Sequence, residues 1–454
     1  MSCVTLRIVR KLLEKNVNVT VKRECSFLHV TGDRSGQVTA VVQPHLDFDE
    51  RFKDLAQLEQ NVARRQLQID VAELSKSWLF YKERLTVKEK LVAKKKEITS
   101  QMQKYYNSKD KSEQLESLKF ELEITKDALR KASSTVWDIE NNVVVRALQL
   151  PNDIDPRVPD EEQIELSYNR EISGSVDHIV AGEKNGCLSY INPSCYYLTK
   201  DLAKLELSIA DYFEARFKQR NHQPVSNTDF SRPVLVEGCT LKTVATDLSL
   251  LMTPDSDDGQ LYLNGGASFL PFFGLHAKHT VTLESPSFRY VTKGRQYRTN
   301  VNPQMNGLYS AWQATGVEFF IGTSTSTETS SECDSALQFL IELYKSLGLG
   351  FRIVNTPARK LHKWESLRFT FELFSPASQT YAEVGNVSVI NDFISKRLQA
   401  YCMDEKNNMG FLHVVSGTAV RIPVLLAAAL ETSDDHNTVQ NLLQKTKELE
   451  IVQT

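Results

Sequence analysis

Nine basic side chains fall between residues 76 and 104 (Lys76, Lys82, Arg84, Lys88, Lys90, Lys94, Lys95, Lys96 and Lys104), against three acids, Glu83, Glu89 and Glu97. Bases on adjacent helical turns match the charges of a nucleic-acid backbone and gain from counterion release, so this run is a candidate RNA-binding surface. A merely solvated helix face is the alternative. The stretch 109–131 carries six residues of each sign, so the excess belongs to one segment. Other chemistry is sparse. His276 and His279 stand three apart and could share a helix face, but no acid or thiol accompanies them, and a structural role is expected. The seven cysteines (Cys3, Cys25, Cys187, Cys195, Cys239, Cys333 and Cys402) are odd in number and never form C-x-x-C, which argues against a disulfide framework or a zinc site and for a reducing compartment. No phosphate-binding glycine loop, dinucleotide fingerprint, H-E-x-x-H or G-x-S-x-G occurs, so neither a metal nor a cofactor is expected.

The elements that would position these residues are of two kinds. From Asp47 to about Val145 there is neither proline nor glycine and helix formers dominate, with one break expected at Tyr106–Asp110. Leu115, Leu118, Leu122, Thr125, Leu129, Ala132, Val136, Ile139 and Val143 follow alternating steps of three and four, a heptad seam. Two such helices joined by a short turn make an antiparallel coiled-coil arm, roughly 60 to 75 Å long if each leg has about 40 to 50 residues. Residues 147–163, with Pro151, Pro156, Pro159 and five acids, read as a linker. Beyond Ile164, short apolar runs (Leu261–Leu263, Thr280–Leu283, Val317–Ile321, Phe351–Val354, Leu367–Phe374) mix with helical stretches (Tyr197–Gln219, Ser335–Leu347, Pro423–Glu431), which predicts an α+β domain on a mainly antiparallel sheet. The run Thr323–Ser331 is almost all Ser and Thr and reads as a surface loop.

Residues 1–25 hold Arg7, Arg10, Lys11, Lys15, Lys22 and Arg23 against two acids, with Leu6, Ile8, Val9, Leu12 and Leu13 among the early bases. This is the composition of a mitochondrial presequence, a plain basic tail being the alternative. The 454 residues suggest two or three domains, and no apolar run reaches the roughly 18 residues of a membrane span. With 54 bases and 57 acids, bulk charge does not hold the chain to nucleic acid.

A helical hairpin followed by an antiparallel α+β domain resembles seryl-tRNA synthetase, a class II aminoacyl-tRNA synthetase. Phe288-Arg289, then Gly307-Leu308-Tyr309 and Val317-Glu318, look like its second class-defining motif. Glu383–Asn386 with Ser388–Leu398 looks like E-I-S-S-C-S-N-C-x-D-F-Q-S-R-R-L, and Gly417-Thr418-Ala419-Val420 with Ile422-Pro423 and Leu430-Glu431 looks like the third motif. His45–Asp49 before the arm also fits. The departures are pointed. Where the family's adenine-reading glutamate is expected stands Val291; the loop arginine is Ser310; the arginine after Pro423 is Val424; the serine-recognising threonine-x-glutamate is Gly266-Ala267-Ser268. Arg289 and Glu383 are retained, and Arg421 is a stand-in expected to point elsewhere. Each lost charge-assisted contact is worth about 1.5 to 3 kcal/mol, so two arginines and two glutamates amount to about 6 to 12 kcal/mol, or roughly four to nine decades in rate.

The resemblance therefore implies a non-enzymatic, degenerate paralogue in the mitochondrial matrix. Its divisions would be a presequence (1–25), an N-terminal segment and coiled-coil arm (26–146), a linker (147–163) and a class II synthetase-like core (164–454). Its expected partners are mitochondrial seryl-tRNA synthetase, in a heterodimer through the first motif around Leu198, Leu202 and Leu205, and RNA, with serine tRNA the candidate, through Lys82, Arg84, Lys88, Lys90, Lys94, Lys95, Lys96 and Lys104. A stand-alone RNA binder and a divergent active synthetase are the alternatives.

Overall fold

The computed structural model describes residues 28, 42, 44–107, 113–168, 176–239, 250–252, 261–283, 287–298, 305–404, 406–432 and 437–452. The presequence expectation lies outside these residues.

The arm is built from α1 (Val71–Asn107) and α2 (Glu113–Ala147). Lys94 meets Glu121 at 2.8 Å, the Tyr81 hydroxyl donates to Glu140 at 3.0 Å, and Arg146 pairs with Glu73, so residue numbers fall on one leg as they rise on the other, the mark of an antiparallel pair. Leu115, Thr125, Val136 and Val143 are buried and the remaining seam positions half-buried, as the heptad requires. Legs of 37 and 35 residues are about 50 to 55 Å long, shorter than the sequence suggested. The helical region also breaks earlier than expected. Short helices Phe48–Arg51 and Leu55–Arg64 precede the arm, and the chain turns at 65–70, where buried Arg65 donates to the carbonyls of Asn152, His362 and Glu365. Residues 148–152 run packed against the core, Asn152 Nδ2 donating to the carbonyls of Trp364 and Ile390.

The core is an eight-stranded sheet. In chain order its strands are β1 (Gln163–Tyr168), β2 (Gln223–Pro224), β3 (Ser287–Tyr297), β4 (Gln313–Thr323), β5 (Phe351–Asn355), β6 (Leu367–Ser375), β7 (Thr380–Asn391) and β8 (His413–Arg421). They lie side by side as β1-β5-β6-β7-β8-β4-β3-β2, antiparallel throughout except the short β2 against β3. Alternation along the strands divides the core between two faces. On β4, Val317, Phe319 and Ile321 point to one face, with helices α3 (Lys200–Lys218), α4 (Ser326–Leu347) and α5 (Ile422–Glu431); Phe320 points to the other, where it meets Phe272, Phe273 and the cluster at the base of the arm.

Three sequence expectations change here. The Ser/Thr run is not a loop: α4 starts at Ser326, because the Thr325 side chain accepts from the Glu328 N–H and Glu328 reaches back to the Thr325 N–H, a reciprocal cap. The helix expected from Tyr197 starts at Lys200, and Leu198 ends a short strand, Cys195–Leu198. Leu202 and Leu205 are fully enclosed in this chain's own core with Ile209 and Phe213, so they are not themselves an interface. Val180, Ile191, Tyr197 and Leu207 are among the exposed apolar side chains of this region.

Candidate functional site

A cavity of about 300 Å³ opens on the sheet, walled by β4, β6, β7 and β8. Its polar lining includes Arg298, Glu318, Glu365, Arg368, Glu383 and Arg421. Strand pairing explains the gathering: Ser388 faces Ser416 on β7/β8, and Glu318 pairs with Thr418 on β4/β8, so side chains distant in sequence share one patch.

The floor is a closed ion network. Arg368 Nη1 donates to Glu365 at 2.8 Å and Nη2 to Glu383 at 2.6 Å. Glu365 also accepts from Ser388 Oγ at 2.7 Å and from the His362 N–H at 2.8 Å. Burial alone would raise the Glu365 carboxyl, but Arg368 and these donors hold it below the usual range. Burial likewise opposes the charge of Arg368, and its two carboxylates outweigh that, raising it. Glu383 is thus engaged by Arg368 through one carboxylate oxygen.

Glu318 is in a different state. It is enclosed, with Thr418 Oγ1 donating at 2.8 Å and no guanidinium in hydrogen-bond contact among the described residues; burial pushes its carboxyl up to about 7. Beside it a recess of about 20 Å³, room for a single water, is lined by Asn264, Ser268, Gln296 and Arg298. Ser268 Oγ donates to the Gly265 carbonyl and accepts from Asn264, so it is satisfied within its own turn.

The structure relocates the motif arginine. Arg289 is not at the cavity: the β3/β4 register sets it opposite Ile321, at the far end of the hairpin, and its guanidinium holds Glu332 of α4 at 2.5 and 3.2 Å. Val291, two residues on, is a core side chain facing Phe319. The cavity instead receives Arg298, which follows Tyr297 at the other end of β3 and reaches Thr418 Oγ1 at 3.4 Å. Tyr297-Arg298 is also an aromatic–arginine pair before Gly307-Leu308-Tyr309, a signal legible in the sequence. Val424 lies in the core, whereas Arg421, expected to point away, lines the cavity with Nη2 donating to the Ala311 carbonyl. Ser310 is buried in a 3₁₀ turn, Gly307–Ser310, bonded to the Gly307 carbonyl. His276 and His279 do not converge: His276 stacks buried on Tyr290, and His279 is exposed.

Asp177, His178 and Glu431 lie close enough to hold an ion, but both ring nitrogens of His178 are engaged by Glu431 and the Leu308 N–H, and Asp177 caps the Ile179 N–H. On the arm the predicted RNA contacts divide. Lys82 is held by Asp49 at 2.8 Å and Lys94 by Glu121; Arg84 lies over the Phe80 ring; Lys88 and Lys95 are half-buried; Lys90, Lys96 and Lys104 are exposed.

No family model matches the chain. The Drosophila melanogaster serine–tRNA synthetase-like protein Slimp is 28% identical over 422 residues, 91% of this chain and 90% of that one. The mitochondrial serine–tRNA ligase of mouse is 28% identical over 324 residues, 65% of this chain and 60% of the mouse protein, and that of Schizosaccharomyces pombe 24% over 89% and 88%. The fold is shared with the seryl-tRNA synthetase of Pyrococcus horikoshii, solved with ATP, at a TM-score of 0.76 and 18% identity over 88% of this chain and 98% of that one.

These matches overturn the expectation that the chain is not an enzyme. The ligases among the relatives are enzymes by name, and the expected inactivity rested on arginines missing at positions 310 and 424, neither of which lines the cavity, while Arg298 and Arg421 do. The ordered series of motifs, the arm followed by the antiparallel sheet, and the serine–tRNA ligases among the relatives agree: the chain is similar in sequence to seryl-tRNA synthetases and shares their fold.

Proposed function

We propose that this chain is a mitochondrial, RNA-binding and dimerising member of the family that pairs with the mitochondrial seryl-tRNA synthetase and serves mitochondrial translation. The observation that carries the reading is the arm, a hairpin of legs about 50 Å long whose first leg keeps an excess of bases and exposes Lys90, Lys96 and Lys104. Serine tRNA is the RNA to test first, since serine–tRNA ligases are among the relatives. A dimer is supported by exposed Ile191, Tyr197 and Trp312, grouped because the Trp312 N–H donates to the Pro193 carbonyl and Tyr196 to that of Gln313. In this reading residues 1–25 direct the chain to the matrix, 26–146 supply the RNA arm, 147–163 join it to the core, and 164–454 supply the core and the dimer surface. Co-expression with the mitochondrial synthetase, followed by purification through a tag on one chain, tests the pairing; recovery of self-dimers alone would reject it.

A second reading, serine activation by this chain itself, is favoured by the gathering of Arg298, Glu318 and Arg421 in one cavity. Positioned charges around a polyphosphate are what adenylate formation requires. Serine-dependent pyrophosphate exchange with ATP decides it, and an absence of exchange above background removes this reading while leaving the RNA-binding one intact.

A further inference from the structure

Four segments distant in sequence meet at one enclosed imidazole. His178 Nε2 accepts the Leu308 N–H at 3.0 Å, which leaves the ring proton on Nδ1, where it donates to Glu431 at 2.7 Å. Glu431 also accepts from the Tyr309 hydroxyl at 3.1 Å and from Ser375 Oγ at 2.6 Å. These donors hold its carboxylate charged against the cost of burial. Asp177, Glu431 and Tyr309 are the titratable groups that face the ring. The fit is close: Gly307 has φ +66°, and a Cβ there would lie 2.0 Å from His178 Nε2, so only glycine leaves the ring its place.

The same turn is tied at a second point. Arg421 donates to the carbonyl of Ala311, the residue after the turn, while Tyr309 within it binds Glu431. Arg421 immediately precedes α5 and Glu431 ends it, so one short segment grips both ends of a ten-residue helix about 15 Å long. Arg421 is also a wall of the cavity.

We propose that His178 is a positioning residue: by holding the Gly307–Ser310 turn it fixes Ala311, and through it the Arg421 guanidinium, in the cavity wall. The turn belongs to no strand ladder; these side-chain bonds hold it, together with the packing of Leu308 and Tyr309 in the core. Removing the imidazole leaves a buried N–H unpaired and a buried carboxylate short of a donor, both of which the turn relieves by moving. The consequence for ligand binding rests on the reading that this cavity takes ATP; the latch itself does not.

Two variants test it. His178→Phe keeps the ring and removes both bonds; His178→Gln offers an N–H and a carbonyl and can restore them. His178→Phe is expected to speed amide hydrogen exchange over residues 307–312 by about 10-fold, the equivalent of one lost buried hydrogen bond, with β8 unchanged. It should weaken ATP binding, measured by calorimetry, by a similar factor, and His178→Gln should recover most of both. A folded His178→Phe with wild-type exchange, or a His178→Gln as fast as the phenylalanine variant, overturns the proposal. If the wild type binds no ATP, the cavity reading fails and the exchange measurement still decides the latch. Should His178→Phe not fold, Tyr309→Phe deletes one hydroxyl only and is expected to speed the same amides about 3-fold; no change there overturns the proposal.

Discussion

Replacing Glu318 by glutamine removes an enclosed carboxyl while keeping a carbonyl to accept the Thr418 hydroxyl at 2.8 Å. Burial lifts this carboxyl from an ordinary 4.5 to about 7, because the low-dielectric surroundings disfavour the charge and no guanidinium contacts it directly among the described residues. At about 1.36 kcal/mol for each tenfold change, that displacement corresponds to about 3 kcal/mol. The sign follows from where the proton is held more tightly. The folded protein binds it better than the unfolded chain does, so the contribution is fully present below about pH 4.5 and is lost as pH rises through about 7. Glutamine cannot ionise, so wild type and variant should differ little at pH 4.5, and the variant should gain on the wild type up to about 3 kcal/mol by pH 8. Urea unfolding of both proteins at half-unit steps from pH 4.5 to 8.5 supplies the difference directly, cancelling groups common to the two. A difference that stays flat across this range would refute the reasoning, and one that falls with rising pH would mean that Glu318 is stabilised as an anion.

Arg298→Ala should weaken ATP binding by at least about 10-fold in calorimetry, whereas Arg289→Ala, which breaks the partly exposed pair with Glu332, should cost no more than about 1 kcal/mol and leave binding unchanged. Joint replacement of Lys90, Lys96 and Lys104 by alanine should reduce the slope of log K against log salt for serine tRNA by up to about 0.9 per lysine in contact with a duplex, while Lys82→Ala, already paired with Asp49, should not; filter binding across 50 to 300 mM salt separates them. Thr325→Ala removes the reciprocal cap of α4 and should cost about 1 kcal/mol in urea unfolding, an effect absent if this stretch were the loop its composition suggests.

What could be read from the sequence was what depends on near neighbours. The heptad seam of α2 spaces Leu115 through Val143 so that one stripe is apolar, and that stripe is buried or half-buried throughout. Runs such as Val317–Ile321 and Leu367–Phe374 fell within strands because alternation and β-branched or aromatic side chains are local signals. Composition misled where capping was the deciding interaction: Thr325 and Glu328 turn a Ser/Thr-rich stretch into the start of a helix by satisfying the N–H groups that would otherwise oppose it.

The site was legible only in part. Glu383 lines the cavity, but which arginine accompanies it depends on strand register and on the length of the connection between β3 and β4, quantities set by pairing between residues far apart. Arg289 and Arg298 both follow an aromatic residue, and nothing nearby in sequence distinguishes them; the β3/β4 hairpin does, by sending one to Glu332 and the other to the cavity. Leu202 and Leu205 show the same division, since an apolar helix stripe fits a partner's surface as well as the chain's own core, and only packing against Phe213 and the sheet decides between them. The sequence by itself determined the arm, the strands and the family resemblance, because periodicity and short motifs are written in consecutive residues. Tertiary structure alone decided the enclosure of Glu318, the occupation of Glu383 by Arg368 and the place of Arg421, because burial and ion pairing arise only when distant segments exclude water together.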